Sequence, residues 1–128
     1  MDNKLPEETR KNLFTFLSRH PPYGSGNAQL CLDMVLACSI YDQDVRYVFL
    51  GDGVFQLLKS QHADSISSKT LGKALETLEL YGVDKVYVSD QSMEQRGLKS
   101  EDLLLPAEFI SAEDLSRLID QSNCVFNL

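Results

Sequence analysis

The sequence predicts an α/β domain with a mostly parallel sheet of about five strands. Short segments rich in β-branched and aromatic residues alternate with segments of helical periodicity, and parallel strands need such helical crossovers. The 128 residues, 43% of them hydrophobic, are enough for one core without disulfide bonds. We therefore expect one domain over residues 12–128, preceded by a flexible leader at residues 1–11.

The predicted strands are short apolar runs bounded by turn-forming or polar residues. The first is apolar enough to be central in the sheet. Together they cover residues 12–18, 45–50, 83–88, 106–110 and 124–128.

The first predicted helix, residues 28–41, is apolar on nearly every side. A helix at the surface of a globular protein shows only one apolar stripe. We therefore expect this helix to be buried on two sides, by its own sheet and by another subunit, with Met34 among its contacts.

The later predicted helices carry start and stop signals. One over residues 69–81 ends at Gly82, and a short one after the third strand ends at Gly97, because glycine suits the backbone beyond a helix end. The last begins with a capping box at Ser111–Asp114.

A second contact region is predicted after the second strand. Gly51–Gly53 breaks that strand, and a short helix from Val54 to Leu58 exposes Phe55 and Leu58 toward a partner. Asp52 could bind a cation or act as an acid or base. An aspartate here more often caps the helix that follows, and we favour that interpretation.

The loop Tyr23–Asn27 follows the first strand, at the sheet edge where ligands of α/β proteins usually bind. Its Gly-Ser-Gly backbone could offer N–H donors to an anion. It lacks both the G-x-G-x-x-G spacing and the G-K-[ST] ending of nucleotide-binding loops. A tight turn that starts the first helix is therefore favoured over a ligand site.

Ser89 lies where a strand end meets a helix start, a position that favours an anionic nucleophile. A serine needs an adjacent base, and no histidine is close in sequence, although His20 could approach through the fold. We favour Ser89 as a capping residue, and His62 as an exposed loop residue without a role. The cysteines and histidines lack metal-ligand spacing, so we expect no metal and no cofactor.

The three cysteines are an odd number and have no C-x-x-C pairing, which favours free thiols in a reducing compartment. Cys31 and Cys38 lie seven residues apart, on nearly the same helix face. Because free cysteine is among the most buried residue types, packing is favoured over reactivity for both. Cys124 is interpreted as a small hydrophobe in the last strand.

Charge and hydropathy argue against a nucleic-acid-binding surface, a membrane span and a signal peptide. The net charge of −7 argues against a broad nucleic-acid surface. The apolar runs are too short for a membrane span, and the polar N-terminus does not look like a signal peptide. We expect a cytoplasmic protein.

Six motifs resemble the DsrE/F-like family, and within it the TusC/DsrF branch, from Asn12 to Leu128. Their order and spacing carry the match more than any one of them does. They are Pro22-Tyr-Gly24, Leu36-Ala-Cys-Ser39, Asp52-Gly-Val-Phe-Gln-Leu-Leu58, Leu80-Tyr-Gly82, Val86-Tyr-Val88 and Glu94-Gln-Arg-Gly-Leu98.

The resemblance implies a three-layer, flavodoxin-like subunit of a cytoplasmic sulfur-relay complex. Its partners would be TusB/DsrH-like and TusD/DsrE-like sister subunits in a dimer of heterotrimers. Such complexes pass persulfide sulfur toward 2-thiouridine in tRNA, or serve sulfur oxidation. The persulfide cysteine belongs to the TusD/DsrE-type subunit, eight residues before the glycine of an Arg-Gly turn. Counting back from Gly97 places that position at Ser89, and a hydroxyl cannot carry sulfane sulfur.

The leading hypothesis is therefore a non-catalytic interaction subunit of a sulfurtransferase complex. Its interface candidates are Tyr23, Met34, Asp52, Val54, Phe55 and Leu58. The alternatives are a DsrF-like role in sulfur oxidation, a sulfur carrier acting through Cys31, Cys38 or Cys124, and a small-ligand-binding homo-oligomer using Tyr23–Asn27. An orphaned apolar patch could also make the isolated chain self-associate.

Overall fold

The computed structural model describes residues 12–41, 43–59 and 66–128, with side chains for all of these except 66–70. The predicted leader at residues 1–11 and His62 lie outside the described residues. The strands are β1 (Leu13–Ser18), β2 (Asp44–Phe49), β3 (Val86–Ser89), β4 (Glu108–Ile110) and β5 (Cys124–Asn127). The α-helices are α1 (Asn27–Ile40), α2 (Ile66–Glu76), α3 (Asp90–Gln95) and α4 (Ala112–Gln121). Three 3₁₀ segments cover Gly51–Leu57, Leu78–Tyr81 and Ser100–Asp102.

The five strands form one parallel sheet in the order β4-β3-β2-β1-β5. The chain steps outward from β1 to β4 and then returns to place β5 on the other side of β1. Because parallel crossovers are right-handed, this reversal puts α4 on the sheet face opposite to α1 and α2. The predicted α/β class and its parallel sheet of about five strands are confirmed.

Two apolar cores lie on the two faces of this sheet. The larger one packs α1 and α2 against one face, with Phe16, Tyr47 and Phe49 fully buried at its centre. Phe16 stacks on Phe126 with ring centroids 4.8 Å apart. The smaller core packs Leu118 of α4 against the other face. Burial on both sides explains why the central strands are apolar runs rather than alternating ones.

Helix α1 is buried along one face within the chain. That face consists of Ala28, Cys31, Leu32 and Val35. On other sides Leu30 is exposed, and Met34 is half-buried against the core. The sheet accounts for one of the two burials expected from the sequence, and burial by another subunit stays a prediction.

The helix predicted over residues 69–81 divides into α2 and the 3₁₀ segment Leu78–Tyr81. At the junction the Thr77 hydroxyl donates to the Ala74 carbonyl (2.6 Å), a local bond that competes with the regular helix ladder. Gly82 then has φ 79°, the left-handed conformation expected of a helix-ending glycine. The predicted end is thus confirmed, although the helix is not continuous.

Candidate functional site

The carboxyl ends of β1, β2 and β3 lie side by side. Ser18 is in register with Phe49, and Phe49 with Val88. The residues that follow each strand therefore meet at one edge of the sheet, which we call the carboxyl-end surface. It comprises the loop Tyr23–Asn27, the 3₁₀ segment Gly51–Leu57, Ser89 and helix α3.

Ser89 caps helix α3. Its backbone is extended, and its hydroxyl accepts a hydrogen bond from the Ser92 N–H (3.1 Å), as the sequence predicts for an N-cap. The Ser92 hydroxyl in turn accepts from the Gly51 N–H (2.9 Å), which joins α3 to the segment after β2. Within the described ranges no hydrogen bond joins the His20 ring to the Ser89 hydroxyl.

Asp52 pairs with Arg96 across the carboxyl-end surface. The Arg96 Nη2 lies 2.9 Å from Asp52 Oδ1, and Arg96 Nη1 donates to the Ser92 carbonyl (3.2 Å). The predicted capping role of Asp52 is wrong. The 3₁₀ segment is capped at Leu50 without a side-chain bond, and Asp52 lies inside its first turn.

Arg96 also lies 5.8 Å from the ring centroid of Phe55, within cation–π distance. Sequence reasoning assigned Arg96 no role. It lies in the segment Glu94–Leu98 that carries part of the family resemblance, but nothing in the sequence indicates that α3 faces the segment after β2. The contacts of its guanidinium with Asp52 and Phe55 restrain both side chains at the surface.

The 3₁₀ segment Gly51–Leu57 has an inner and an outer face. Gly53, Val54, Gln56 and Leu57 are buried. Asp52 is exposed, and Phe55 is half-buried. Val54, predicted to be an interface residue, is therefore out of reach of a partner in this conformation. Leu58, just beyond the segment, is half-buried and bridged to Leu103.

Two close contacts hold the inner face against the end of β1. The Gln56 Nε2 donates to the Ser18 hydroxyl (2.7 Å) and to the His20 carbonyl (2.8 Å). A Cβ on Gly53 would collide with the carbonyl of Ser18. Backbone approaches this closely only because residue 53 has no side chain. These contacts position the outer face, Asp52 and Phe55, relative to Ser89.

Tyr23 is exposed at the tip of the first loop. Helix α1 starts at Gly26, which has no side chain to cap it, and the Asn27 N–H donates to the Ser25 hydroxyl at 3.4 Å. Gly24 takes a positive φ of 91°. These features fit the tight turn expected from the sequence.

The sheet reverses its strand order between β1 and β5, where ligands of open α/β sheets usually bind. Here hydrogen bonds span this position. The Arg19 Nε donates to Asn127 Oδ1 (2.6 Å), and the Arg19 N–H donates to the Leu128 carbonyl (3.1 Å). These two bonds tie the residue after β1 to the end of β5.

The cysteines differ in accessibility. Cys31 is fully buried, and burial raises its pKa to about 11 despite hydrogen bonds to Ser18 and Tyr47. A thiol of this kind is protonated and inaccessible, which is the opposite of what a sulfur carrier needs. Cys38 is half-buried, whereas Cys124 is exposed on the edge strand β5. The interpretation of Cys124 as a packed hydrophobe is therefore wrong.

In the part of the chain that the structure describes, no cluster of three or more His, Cys, Asp or Glu side chains could hold a metal ion. No described helix is both long enough and apolar enough to cross a membrane.

With helices packed on both faces of a five-stranded parallel sheet, the chain is a three-layer α/β protein. The model of the DsrE/DsrF-like family matches residues 12–128, and the chain belongs to that family. A protein named TusC homolog from Vibrio parahaemolyticus is 37% identical over 108 residues, covering 84% of this chain and 92% of that protein. A TusC homolog from Pseudomonas aeruginosa is also 37% identical, over 88% of this chain and 94% of its own length.

The intracellular sulfur oxidation protein DsrF from Allochromatium vinosum is 35% identical, covering 89% of this chain and 94% of that protein. Among solved structures, the ychN protein from E. coli superposes with a TM-score of 0.76. That match covers 91% of this chain and 99% of the ychN chain at 18% identity. At that identity the similarity supports the fold alone.

Proposed function

We propose that this chain is a non-catalytic structural subunit of a cytoplasmic sulfurtransferase complex that relays persulfide sulfur. Residues 12–128 act as its single domain. The complex would resemble the one that contains TusC and serves 2-thiouridine synthesis in tRNA. Its sister subunits would be TusB/DsrH-like and TusD/DsrE-like, assembled as a dimer of heterotrimers.

The observation that carries this proposal is the state of Ser89. By the family resemblance this residue occupies the position of the sister subunit's persulfide cysteine. Its hydroxyl is engaged as the cap of α3, through the bond from the Ser92 N–H (3.1 Å). A capped hydroxyl without a base is neither a nucleophile nor a sulfur carrier. Sulfur transfer would then depend on a cysteine of a sister subunit.

The carboxyl-end surface supplies the contacts for that partner. Tyr23 is an exposed aromatic side chain, and Arg96 holds Phe55 and Asp52 in place. Aromatic side chains and arginine dominate the binding energy of protein interfaces. Restraint of these groups before binding lowers the entropy lost on association. We infer that this surface presents the chain to the sister subunit that carries the cysteine.

Native mass spectrometry of the chain, alone and co-expressed with the two sister subunits, tests the assembly. We expect a mixed complex with equal copies of each chain. Tyr23→Ala should weaken association by about tenfold or more, because it truncates an aromatic anchor. Tyr81→Ala is the comparison variant, since Tyr81 is about as exposed but precedes β3, at the other end of the sheet. An equal loss of association would place the contact at that end instead. A homo-oligomer that ignores the sister subunits would contradict the proposal.

A cysteine-free variant, in which Cys31, Cys38 and Cys124 are all replaced by alanine, tests the non-catalytic role. In cells that lack the native subunit, the folded variant should restore 2-thiouridine to the level given by the unmodified chain. Circular dichroism verifies folding. If a folded, assembled variant restores none, the chain is itself a sulfur carrier.

A DsrF-like role in sulfur oxidation is the second candidate, and the similarity to the Allochromatium vinosum protein supports it. The two roles differ in the acceptor of the sulfur rather than in this chain. Restoration of tRNA 2-thiouridine favours the first role. An assembled complex that leaves tRNA unthiolated favours the second.

A further inference from the structure

Gln56 is the only polar side chain on the inner face of the 3₁₀ segment Gly51–Leu57. It is fully buried, and its amide nitrogen donates hydrogen bonds to the Ser18 hydroxyl (2.7 Å) and to the His20 carbonyl (2.8 Å). Burial of an amide is costly unless the amide is hydrogen-bonded, so these two bonds fix the position of the side chain. Because Gln56 is buried, it can affect a partner only through its neighbours.

Phe55 precedes Gln56 and lies on the outer face of the same segment. It is half-buried, and the Arg96 guanidinium lies 5.8 Å from its ring centroid. The backbone of the segment approaches β1 closely, since a Cβ on Gly53 would collide with the Ser18 carbonyl. The segment that presents Phe55 is thus fixed to the end of β1.

Two prolines connect His20 to Tyr23. Pro21 is half-buried, and Pro22 is buried. A proline ring fixes the backbone angle φ, and a residue that precedes a proline favours extended conformations. Pro21-Pro22 is therefore a stiff spacer. The position of the Tyr23 backbone follows from that of the His20 carbonyl, which Gln56 holds.

We propose that Gln56 is a positioning residue for assembly. It sets the spacing of Tyr23 and Phe55, the two aromatic side chains of the carboxyl-end surface, so that both engage the sister subunit at once. The inference rests on the proposed function and names how its contact surface is held. Two side chains held on one rigid body lose less conformational freedom on binding than two that move separately. The Gln56 amide therefore contributes to affinity without touching the partner.

Two variants separate the two hydrogen bonds of the Gln56 amide. Gln56→Met keeps the length of the side chain and removes both bonds. Ser18→Ala removes the bond to the Ser18 hydroxyl and leaves the bond to the His20 carbonyl, so it is the matched control. Circular dichroism verifies that both variants fold.

A double-mutant cycle with Tyr23→Ala measures the coupling, with affinity for the two purified sister subunits as the readout. Gln56→Met should weaken binding about tenfold, and adding Tyr23→Ala should weaken it less than about threefold further, because Tyr23 is already out of position. In the Ser18→Ala background, Tyr23→Ala should keep its full effect of about tenfold. Equal effects of Tyr23→Ala in all three backgrounds would overturn the proposal.

Backbone NMR relaxation of the chain alone tests the stiff link without a partner. The Tyr23 N–H should have an order parameter close to that of a rigid backbone, about 0.85. Gln56→Met should lower it toward about 0.6, whereas Ser18→Ala should leave it unchanged. An order parameter that Gln56→Met does not change would show that Gln56 does not hold Tyr23.

Pro21→Gly is the second variant, because it loosens the spacer and leaves Gln56 with both of its bonds. It should reproduce the loss of binding and the reduced effect of Tyr23→Ala, so misfolding of Gln56→Met does not decide the result. Full affinity of Pro21→Gly would overturn the proposal. A failure of the unmodified chain to bind the sister subunits would overturn the proposed function, whereas binding with an unchanged cycle would overturn only the role of Gln56.

Discussion

The carboxyl end and the amino end of the sheet differ in how the segments that follow or precede the strands are held. At the carboxyl end, polar bonds fix the chain against itself: Gln56 to Ser18, Ser92 to Gly51, and Arg96 to Asp52. At the amino end, helix α1 contacts the 3₁₀ segment Leu78–Tyr81, and large apolar side chains remain in solvent. We call these the amino-end patch: Ile40, Tyr41, Leu80 and Tyr81.

In one region the side chains are held in position by neighbours, and in the other they are exposed to solvent. The carboxyl-end surface has few freely exposed apolar groups, but its outer side chains are held by neighbours. The amino-end patch has ample exposed apolar area, because its four side chains are 52% to 84% exposed. Large exposed apolar groups in one place mark contact surfaces or association of isolated chains. If the carboxyl end is the more tightly fixed of the two, substitutions there should cost more stability than substitutions at the amino end.

The largest expected effect comes from leucine truncation at the two ends. Leu57, the last residue of the 3₁₀ segment Gly51–Leu57, is fully buried, whereas Leu80 is 84% exposed. Leu57→Ala should lower the free energy of unfolding by about 2–5 kcal/mol, and Leu80→Ala should change it by less than about 0.5 kcal/mol. Urea denaturation measures both. Equal effects would mean that the two ends are packed alike.

Gly53→Ala should destabilise the chain by about 1–3 kcal/mol, because the new methyl group forces the segment away from the Ser18 carbonyl. Gly26→Ala is the matched control: its φ is −87° and nothing lies within 4 Å of an added Cβ. Thermal unfolding compares the two. A Gly53→Ala protein as stable as the control would show that the segment is not held against β1.

Because the Cys31 thiol is buried, we expect the free energy of unfolding to fall in alkali. Burial raises its pKa from 9.0 to about 11, so the folded chain keeps a proton that the unfolded chain has lost. Stability from this group is complete below about pH 9 and falls as the pH rises toward about 11, by at most about 1.4 kcal/mol per unit.

Cys31→Ala should flatten this pH dependence in urea unfolding under reducing conditions. Tyr47, whose pKa burial also raises, remains in both proteins and serves as the common background. Parallel curves for the two proteins would show that Cys31 does not titrate in this window.

The smallest effect is expected for the exposed ion pair. Asp52→Asn should cost less than about 1 kcal/mol of stability, because the Asp52 side chain is 57% exposed and its pairing with Arg96 is screened by water. The same change should weaken binding of the sister subunit if Arg96 positions Phe55. Glu113→Gln, at the exposed pair of Arg117, is the control. If Asp52→Asn and Glu113→Gln weaken binding equally, Arg96 is not a positioning residue.

Most of the fold was predictable because it depends on local patterns. All five strands lie within two or three residues of their predicted bounds, and Ser89, Ser111 and Gly82 end or begin helices as their chemistry predicts. The candidate site was less predictable. The burial of Val54, the pairing of Asp52 with Arg96 and the exposure of Cys124 all depend on which elements become neighbours, and no local pattern encodes that.

The parallel α/β class, the helix ends and the family motifs can all be recognised in the amino-acid sequence. Periodicity and capping chemistry act over a few residues, so a single sequence is enough to recognise them. Which side chains meet depends on the tertiary structure. Sheet order placed α3 beside the segment after β2, where Arg96 meets Asp52 and Phe55. Those contacts join residues far apart in sequence, and only the packing of the whole sheet brings them together.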